Sequence, residues 1–335
     1  MLSQAYRSLH STVAAAALLL ITVSPSLAVD GVIEINQAKA LAGGVTPGDA
    51  AGFPVTIDQS GSYRLTSNLI LATTGDHAIQ ITSTSQNVTI DLNGFSITGP
   101  NSCTGGGSSI SCTFNSGGHG ILMDQGVDSV RVMNGAIQGM GGNGIAGSTV
   151  NLFLEGVAVS ENGSSGVSCG RCQILRNRIF SNRQDGISCG AACVIVENRI
   201  EFSGLRGITA TFGLHNIHRN VIVGHGSFGI DTKGAIVATE NVVADNGGGI
   251  RTTPIAGGGS RIEGNTVRDN TGNGIEVGTA SAVEGNSVAG NSGVGLVLGA
   301  NSGYAQNVID SNAGGTVSGG IEMGTNVCDG NTTCP

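Results

Sequence analysis

Aliphatic residues recur along this chain at fixed distances from an asparagine. The marks are Asn177, Asn198, Asn220, Asn241, Asn265, Asn286 and Asn307, spaced 21, 22, 21, 24, 21 and 21 residues apart. Two places after them stand Ile179, Ile200, Ile222, Val243, Val267, Val288 and Ile309, and three places before stand Ile174, Ile195, Ile217, Ala238, Ile262, Val283 and Tyr304. Units also carry a Gly-aliphatic pair, as in Gly186-Ile187, Gly207-Ile208, Gly229-Ile230 and Gly295-Leu296. A period of this size means a stacked repeat, in which each unit buries its apolar face against the next. β-Branched residues at period two predict short strands and exclude leucine-rich and helical repeats. In one unit Val194–Val196 reads as a strand, Asn198 as a corner, Arg199–Glu201 as a second strand and Gly207–Ala210 as a third. Three strands and three turns make one triangular coil, and coils stack ~4.8 Å apart as parallel strands with their aliphatics inward.

Asparagine suits the corner because its short amide tolerates the left-handed region and hydrogen-bonds the backbone. Stacked in register, such amides also bond one another along the axis. Looser copies extend the array backwards through Val130-x-Val132-x-Asn134-x-x-Ile137, Leu152-x-Leu154-x-Gly156-x-x-Val159 and Val88–Gly94. Asn162, on one of these looser coils, is expected to be exposed. The Gly/Ser/Asn-rich stretch 100–118 reads as an inserted loop. Val32–Leu41 spaces its apolar residues in a partly helical way and ends at Gly43-Gly44, which predicts a cap over the open end of the stack. The layout expected is a signal peptide at 1–28, a cap segment at 29–60 and the repeat array at 61–335.

These residues carry a family resemblance. Asn265-Thr-Val267-Arg-Asp-Asn270 with Gly274-Ile275 resembles the right-handed parallel β-helix repeat family. Gly61-Ser-Tyr63-Arg-Leu65 leading to Thr89–Ile97 is similar to exported bacterial members of unassigned function. The resemblance implies an all-β fold, a single-stranded right-handed parallel β-helix of the pectate-lyase-like type, with about ten coils and a short N-terminal cap. It does not name an activity, because this scaffold hosts lyases, hydrolases, epimerases, adhesins and spike proteins.

Composition changes the picture in four ways. Arg7 and the apolar run from Thr12 to Val23, followed by Ser26-Leu27-Ala28, read as a secretory signal, since the run is too short to span a bilayer. The expected address is secreted or periplasmic. From Val29 onward the chain carries 14 basic and 23 acidic residues, a formal −9, with lysine only at Lys39 and Lys233. No basic stripe exists to displace counterions, which excludes a nucleic-acid partner. The 57 glycines accompany regular Val/Ile positions and a mean hydropathy of +0.17, so they serve turns rather than disorder.

Eight cysteines in an exported chain favour disulfides. Cys103/Cys112 and Cys328/Cys334 are local pairs. Cys169 and Cys189 stack in adjacent coils, as do Cys172 and Cys193, so both the between-coil pairing and the within-coil pairing Cys169–Cys172 and Cys189–Cys193 remain open. In an oxidising compartment these four read as a staple rather than a zinc site.

Candidate chemistry lies on the strand after each Gly-aliphatic pair, where the resemblance places a working groove. Its outward residues should be Ser168, Ser188, Thr209, Asp231, Arg251, Glu276, Val297 and Glu322, with Lys233 and Thr253 two further on, Asp185 and Arg206 just before the glycines, and His225 nearby. Asp231, Lys233, Arg251 and Glu276 can supply an acid or base with a charge clamp, with His225 as auxiliary base. The same charges can also form a solvated salt-bridge ladder with no function. Asp185, Arg206, Thr209 and Thr253 are candidate binding residues. No cofactor is implied: calcium would need several carboxylates on neighbouring coils, and only Asp231/Glu276 comes near. The Asp-Asp and Asn-Thr-Asp of polygalacturonase-like enzymes are absent, despite Gly118-His119-Gly120 and Gly224-His225-Gly226. His77, His215 and His218 are scattered, and His215 and His218 read as satisfied packing residues rather than ligands. The reading favoured is a secreted recognition or surface-structure module contacting an extracellular polysaccharide or a surface protein, with a polysaccharide lyase or hydrolase as its rival.

Overall fold

A computed structural model describes residues 31–253 and 258–334, leaving aside the side chains of 149–150. The expected signal segment lies outside the described residues. The chain winds into a parallel β-helix of about 12 turns, slightly more than the repeat count suggests. Sheet 1 contains the strand after each Gly-aliphatic pair, and its register runs outward-facing residue on outward-facing residue from Thr56 through Gln80, Leu122, Ala146, Ser168, Ser188, Thr209, Asp231, Arg251, Glu276 and Val297 to Ser318. Sheet 2 holds the strands that precede the asparagine marks, such as Val194–Val196 and Arg261–Glu263, and sheet 3 those that follow, such as Arg199–Glu201 and Thr266–Arg268. In sheet 1 the inward positions Ile187, Ile208, Ile230, Ile250 and Ile275 form one stack, and in sheet 3 Ile179, Ile200, Ile222, Val243 and Val267 form another, all at 0% exposure. Each such side chain contributes roughly 1.5–3 kcal/mol on burial, so a few coils suffice to hold the stack.

The corner chemistry differs from the sequence expectation. The left-handed backbone belongs to the residue before each marker asparagine: Arg176 (φ 55°), Glu197 (57°), Arg219 (53°), Glu240 (55°), Gly264 (65°), Gly285 (64°) and Gln306 (58°). That residue makes the turn and points to solvent, which frees the asparagine side chain to enter the coil. There Asn177, Asn198, Asn220, Asn241, Asn265, Asn286 and Asn307 each donate from Nδ2 to Oδ1 of the next at 2.9–3.1 Å, ending on Asn326. From Asn198 onward each Oδ1 also accepts the backbone N–H of the asparagine one coil back, for example Asn220 N–H to Asn241 at 2.9 Å, while Asn177 Oδ1 accepts that of Val157.

A second ladder, not expected, runs along the corner between sheets 3 and 1. It links Asn162 to Asn182 at 2.9 Å, and Asn246, Asn270, Asn291 and Asn312 at 2.8–3.1 Å. Asn162 is therefore fully buried rather than exposed.

At the N-terminus, β1 (Val32–Ile35) pairs in parallel with Gly61–Leu65 and is the first rung of sheet 2. Helix α1 (Gln37–Ala42) follows, capped by Asn36, whose Oδ1 accepts the Lys39 N–H at 2.9 Å. The expected helical spacing thus holds only for the second half of Val32–Leu41, because Val32, Ile33 and Ile35 find a strand partner in β-geometry. The insert at 100–118 forms a two-stranded antiparallel hairpin closed by Cys103–Cys112 and lies across later coils, where Gly107 N–H donates to the Phe202 carbonyl and Asn101 Nδ2 to that of Glu161. Cys328–Cys334 closes the C-terminal loop, and the central four pair within coils as Cys169–Cys172 and Cys189–Cys193. Glu322 does not continue the sheet 1 row: Gly319 (φ 78°) and Gly320 (φ 79°) turn the chain early, so Ser318 takes that rung and Glu322 pairs with Tyr304 in sheet 2. Among the described residues no helix is long and apolar enough to cross a membrane.

Candidate functional site

Strand register alone brings the charged residues of sheet 1 together, since Thr209, Asp231, Arg251 and Glu276 are successive rungs. Asp231 is 8% exposed and sits between two guanidinium groups. Arg251 donates from Nε to Oδ1 at 2.9 Å and from Nη2 to Oδ2 at 2.8 Å, a bidentate pair. Arg206 Nε lies 2.7 Å from Oδ2 but is not aligned for a hydrogen bond, so this contact is an ion pair only. The Arg251 guanidinium also lies 3.9 Å from the centre of the Phe228 ring, which fixes its plane. Hydrogen bonding to Asp231 raises the Arg251 pKa, burial opposes this, and the charges of Asp231 and Glu276 add to the rise.

Asp185 accepts the Arg206 backbone N–H at 3.1 Å and lies 3.7 Å from Arg206 Nη1. Burial raises its pKa above the usual carboxylate value; Arg206 and the neighbouring Thr209 pull it back, and the Asp231 charge pushes it up again. The Thr209 hydroxyl is close enough to favour the carboxylate but makes no aligned hydrogen bond of its own. Glu276 is held by Asn273 Nδ2 at 3.4 Å. Lys233 stands exposed in the turn after the Phe228–Thr232 strand, and Thr253 Oγ1 donates to the Thr232 carbonyl at 3.4 Å. Arg251 is interposed between Asp231 and Glu276, so the two carboxylates are two rungs apart with a cation between them and do not converge on a calcium position.

His225 requires a correction. Expected at the groove rim as an auxiliary base, it lies inside the coil at 3% exposure. Its Nδ1 accepts the Ser203 backbone N–H at 3.1 Å and its Nε2 donates to the Ile200 carbonyl at 3.1 Å. Burial depresses its pKa to about 4, opposed by those backbone hydrogen bonds and by Glu201. Both nitrogens are committed to the backbone, so the imidazole has no free face for a substrate.

An open concavity lies elsewhere, on the outer face of sheet 2. A groove of about 410 Å³ runs over Arg131, Asn151, Phe153, Arg171, Gln173 and Val194. Arg131, Phe153, Gln173 and Val194 are successive rungs, and the Arg131 guanidinium lies 4.4 Å from the Phe153 ring centre while Nη2 donates to Glu155 at 3.0 Å. Arg171 also lines an adjoining depression of about 460 Å³ with Thr211 and Phe212, which is 66% exposed. The sequence held this signal: Arg131 stands between Val130 and Val132, and Phe153 between Leu152 and Leu154, so both must face outward. Chemically the sheet 1 cluster offers fixed, mutually neutralised charge, whereas the sheet 2 groove offers guanidinium donors beside an aromatic face.

A family model described as right handed beta helix region matches residues 188–332. No curated protein matches the sequence. Among solved structures, the periplasmic alginate epimerase AlgG superposes with a TM-score of 0.57 at 12% identity, over 88% of this chain and 83% of that one. A double mutant of the same enzyme gives a TM-score of 0.56 at 14% identity, over 88% and 82% of the two chains. An alginate lyase from a Paenibacillus species matches at a TM-score of 0.37 and 14% identity, over 87% and 95%. The chain shares with these structures the right-handed parallel β-helix fold.

Proposed function

We propose that this right-handed parallel β-helix is a secreted or periplasmic recognition module that binds an extracellular polysaccharide along the groove of Arg131, Phe153 and Arg171. One contrast carries the reading. The charges on sheet 1 are closed on themselves, with Asp231 saturated by Arg206 and Arg251 and His225 buried among backbone partners, while the sheet 2 groove is open. A sugar ring offers a C–H face that packs on an aromatic ring and hydroxyl or carboxylate oxygens that accept from guanidinium groups. The solved alginate epimerase that shares this fold puts alginate on any panel of ligands. The test presents neutral and acidic polysaccharides to the purified protein and records retention together with new reducing ends and unsaturated products. Retention without products is expected; turnover of any polymer overturns the non-catalytic reading.

A polysaccharide lyase or hydrolase is the second reading, favoured by Asp185. A carboxyl whose pKa is raised by burial holds its proton longer, as a general acid must, and here it lies beside Asp231, Arg206 and Arg251. Under this reading Asp231, Lys233, Arg251 and Glu276 form the site, and Asp185→Asn abolishes product while leaving retention intact.

A further inference from the structure

Cys169, Cys172, Cys189 and Cys193 bring four sulfur atoms to one place in the core. All four residues are buried, and their Sγ atoms lie within 4.8 Å of one another. Across the two disulfides, Cys172 Sγ is 3.0 Å from Cys193 Sγ and 3.8 Å from Cys189 Sγ. Strand register produces this convergence: Cys169 and Cys189 are paired rungs of sheet 1, and Cys172 and Cys193 stack at the corner leading into sheet 2. One coil further on, the fully buried His215 accepts the Cys193 backbone N–H on Nδ1 at 3.2 Å, with the same nitrogen 3.8 Å from Cys189 Sγ. Its Nε2 is buried without a partner.

We propose that the reduced form of this cluster holds a single thiophilic divalent metal ion, so that metal occupancy and the two disulfides are alternative states of one site. Four thiolates around a tetrahedral zinc ion at ~2.3 Å stand about 3.8 Å from one another. Cys172 and Cys189 already have that separation, and Cys172 and Cys193 need to part by less than an ångström. Breaking the two S–S bonds lets each bonded pair part to the same distance, and no pair starts more than 4.8 Å apart. Each disulfide takes two electrons and two protons from an external dithiol, which leaves as its own cyclic disulfide. The four thiols then release four protons as the divalent ion binds, giving a centre of net charge −2. All four ligands come from two adjacent coils held in parallel register, so the site is closed to solvent, as structural tetrathiolate sites are.

The experiment reduces the folded full chain anaerobically with dithiothreitol, removes the reductant, counts free thiols and titrates Co²⁺. One equivalent should produce thiolate-to-cobalt charge transfer and tetrahedral d–d absorption, displaced by Zn²⁺. Cys103→Ser/Cys112→Ser should leave the titration unchanged, whereas Cys172→Ser/Cys193→Ser should weaken binding at least tenfold and lose the tetrahedral bands. Free thiols without cobalt absorption overturn the proposal, as does binding indifferent to Cys172 and Cys193. Circular dichroism covers the case in which reduction unfolds the chain: recovery of the β-sheet signal with one equivalent of Zn²⁺ supports the site, and failure to recover refutes it.

Discussion

His225 and Asn246 are successive members of one ladder: the His225 backbone N–H donates to Asn246 Oδ1 at 2.9 Å. The imidazole does what the asparagine amide does. Nδ1 accepts a backbone N–H from the coil before, as Asn246 Oδ1 does, and Nε2 donates to the Ile200 carbonyl, as Asn246 Nδ2 donates to that of Ile222 at 3.2 Å. The difference is that an imidazole can take a proton.

That difference predicts a pH dependence. The folded-state pKa of His225 is depressed to about 4, against 6.5 in the unfolded chain. Between those values the unfolded state binds the proton and the folded state does not, so stability is full above pH 6.5 and falls as pH drops toward 4, by up to about 3 kcal/mol. His119, also lowered to about 4 by burial, adds to the same slope. His225→Asn should remove only its own share, so urea midpoints at pH 7 and pH 4.5 should lie closer together in the variant than in the parent. Equal slopes would mean that burial does not hold His225 neutral.

The asparagine ladder gives a stability prediction in which an interior amide is compared with an exposed one. Asn220→Leu and Asn162→Leu should each cost roughly 1–3 kcal/mol, because both residues are buried and leave backbone and amide groups unpaired. Asn216 points outward from sheet 2, and its change to leucine should stay within about 0.5 kcal/mol. Denaturant melts of the three variants decide this, and a cost at Asn162 no larger than at Asn216 would sink the second ladder.

Much of this was legible in the sequence, for a physical reason. Parallel stacking places every copy of a residue at the same depth, so the period and the inward aliphatics fixed the coil and its three strands. Two things were not legible. The turn at each corner is made by the residue before the asparagine, and its identity varies from Arg176 to Gly264 because it faces water and needs only a left-handed backbone. The second ladder was hidden because Ser203 and His225 interrupt its asparagines, and only the hydrogen-bond geometry shows that His225 belongs to it. On sheet 1 the register of Asp231, Arg251 and Glu276 could be read from spacing, but Arg206 closing over Asp231 from the preceding turn could not.

The corners themselves can be tested at Gly264. It turns at φ 65°, and a Cβ there would meet nothing nearer than Glu240 Cγ at 3.8 Å. The cost of substitution is therefore conformational. Gly264→Val should lose about 1–3 kcal/mol, while Gly264→Asn, which tolerates the left-handed region, should lose less than about 1. Thermal melts of the pair separate the two, and similar losses would point to packing instead.

The last prediction separates the two charged surfaces. Asp231→Ala leaves Arg206 and Arg251 facing each other without their carboxylate, so it should destabilise by roughly 1–3 kcal/mol, with part recovered in Asp231→Ala/Arg251→Ala because the double change removes one of the stranded cations. Both arginines are about one-third exposed, which keeps the cost below that of a fully buried pair. On sheet 2, Arg131→Ala/Arg171→Ala removes the groove's guanidinium groups, leaving the inward aliphatics in place, and should scarcely move the melting midpoint. Polysaccharide retention should follow the opposite order: lost in the sheet 2 double variant, kept in Asp231→Ala/Arg251→Ala wherever that protein is folded. Affinity electrophoresis in gels cast with the retained polymer reads both. Retention that disappears with Asp231 and Arg251 but survives the loss of Arg131 and Arg171 would move the binding surface to sheet 1 and with it the case for catalysis.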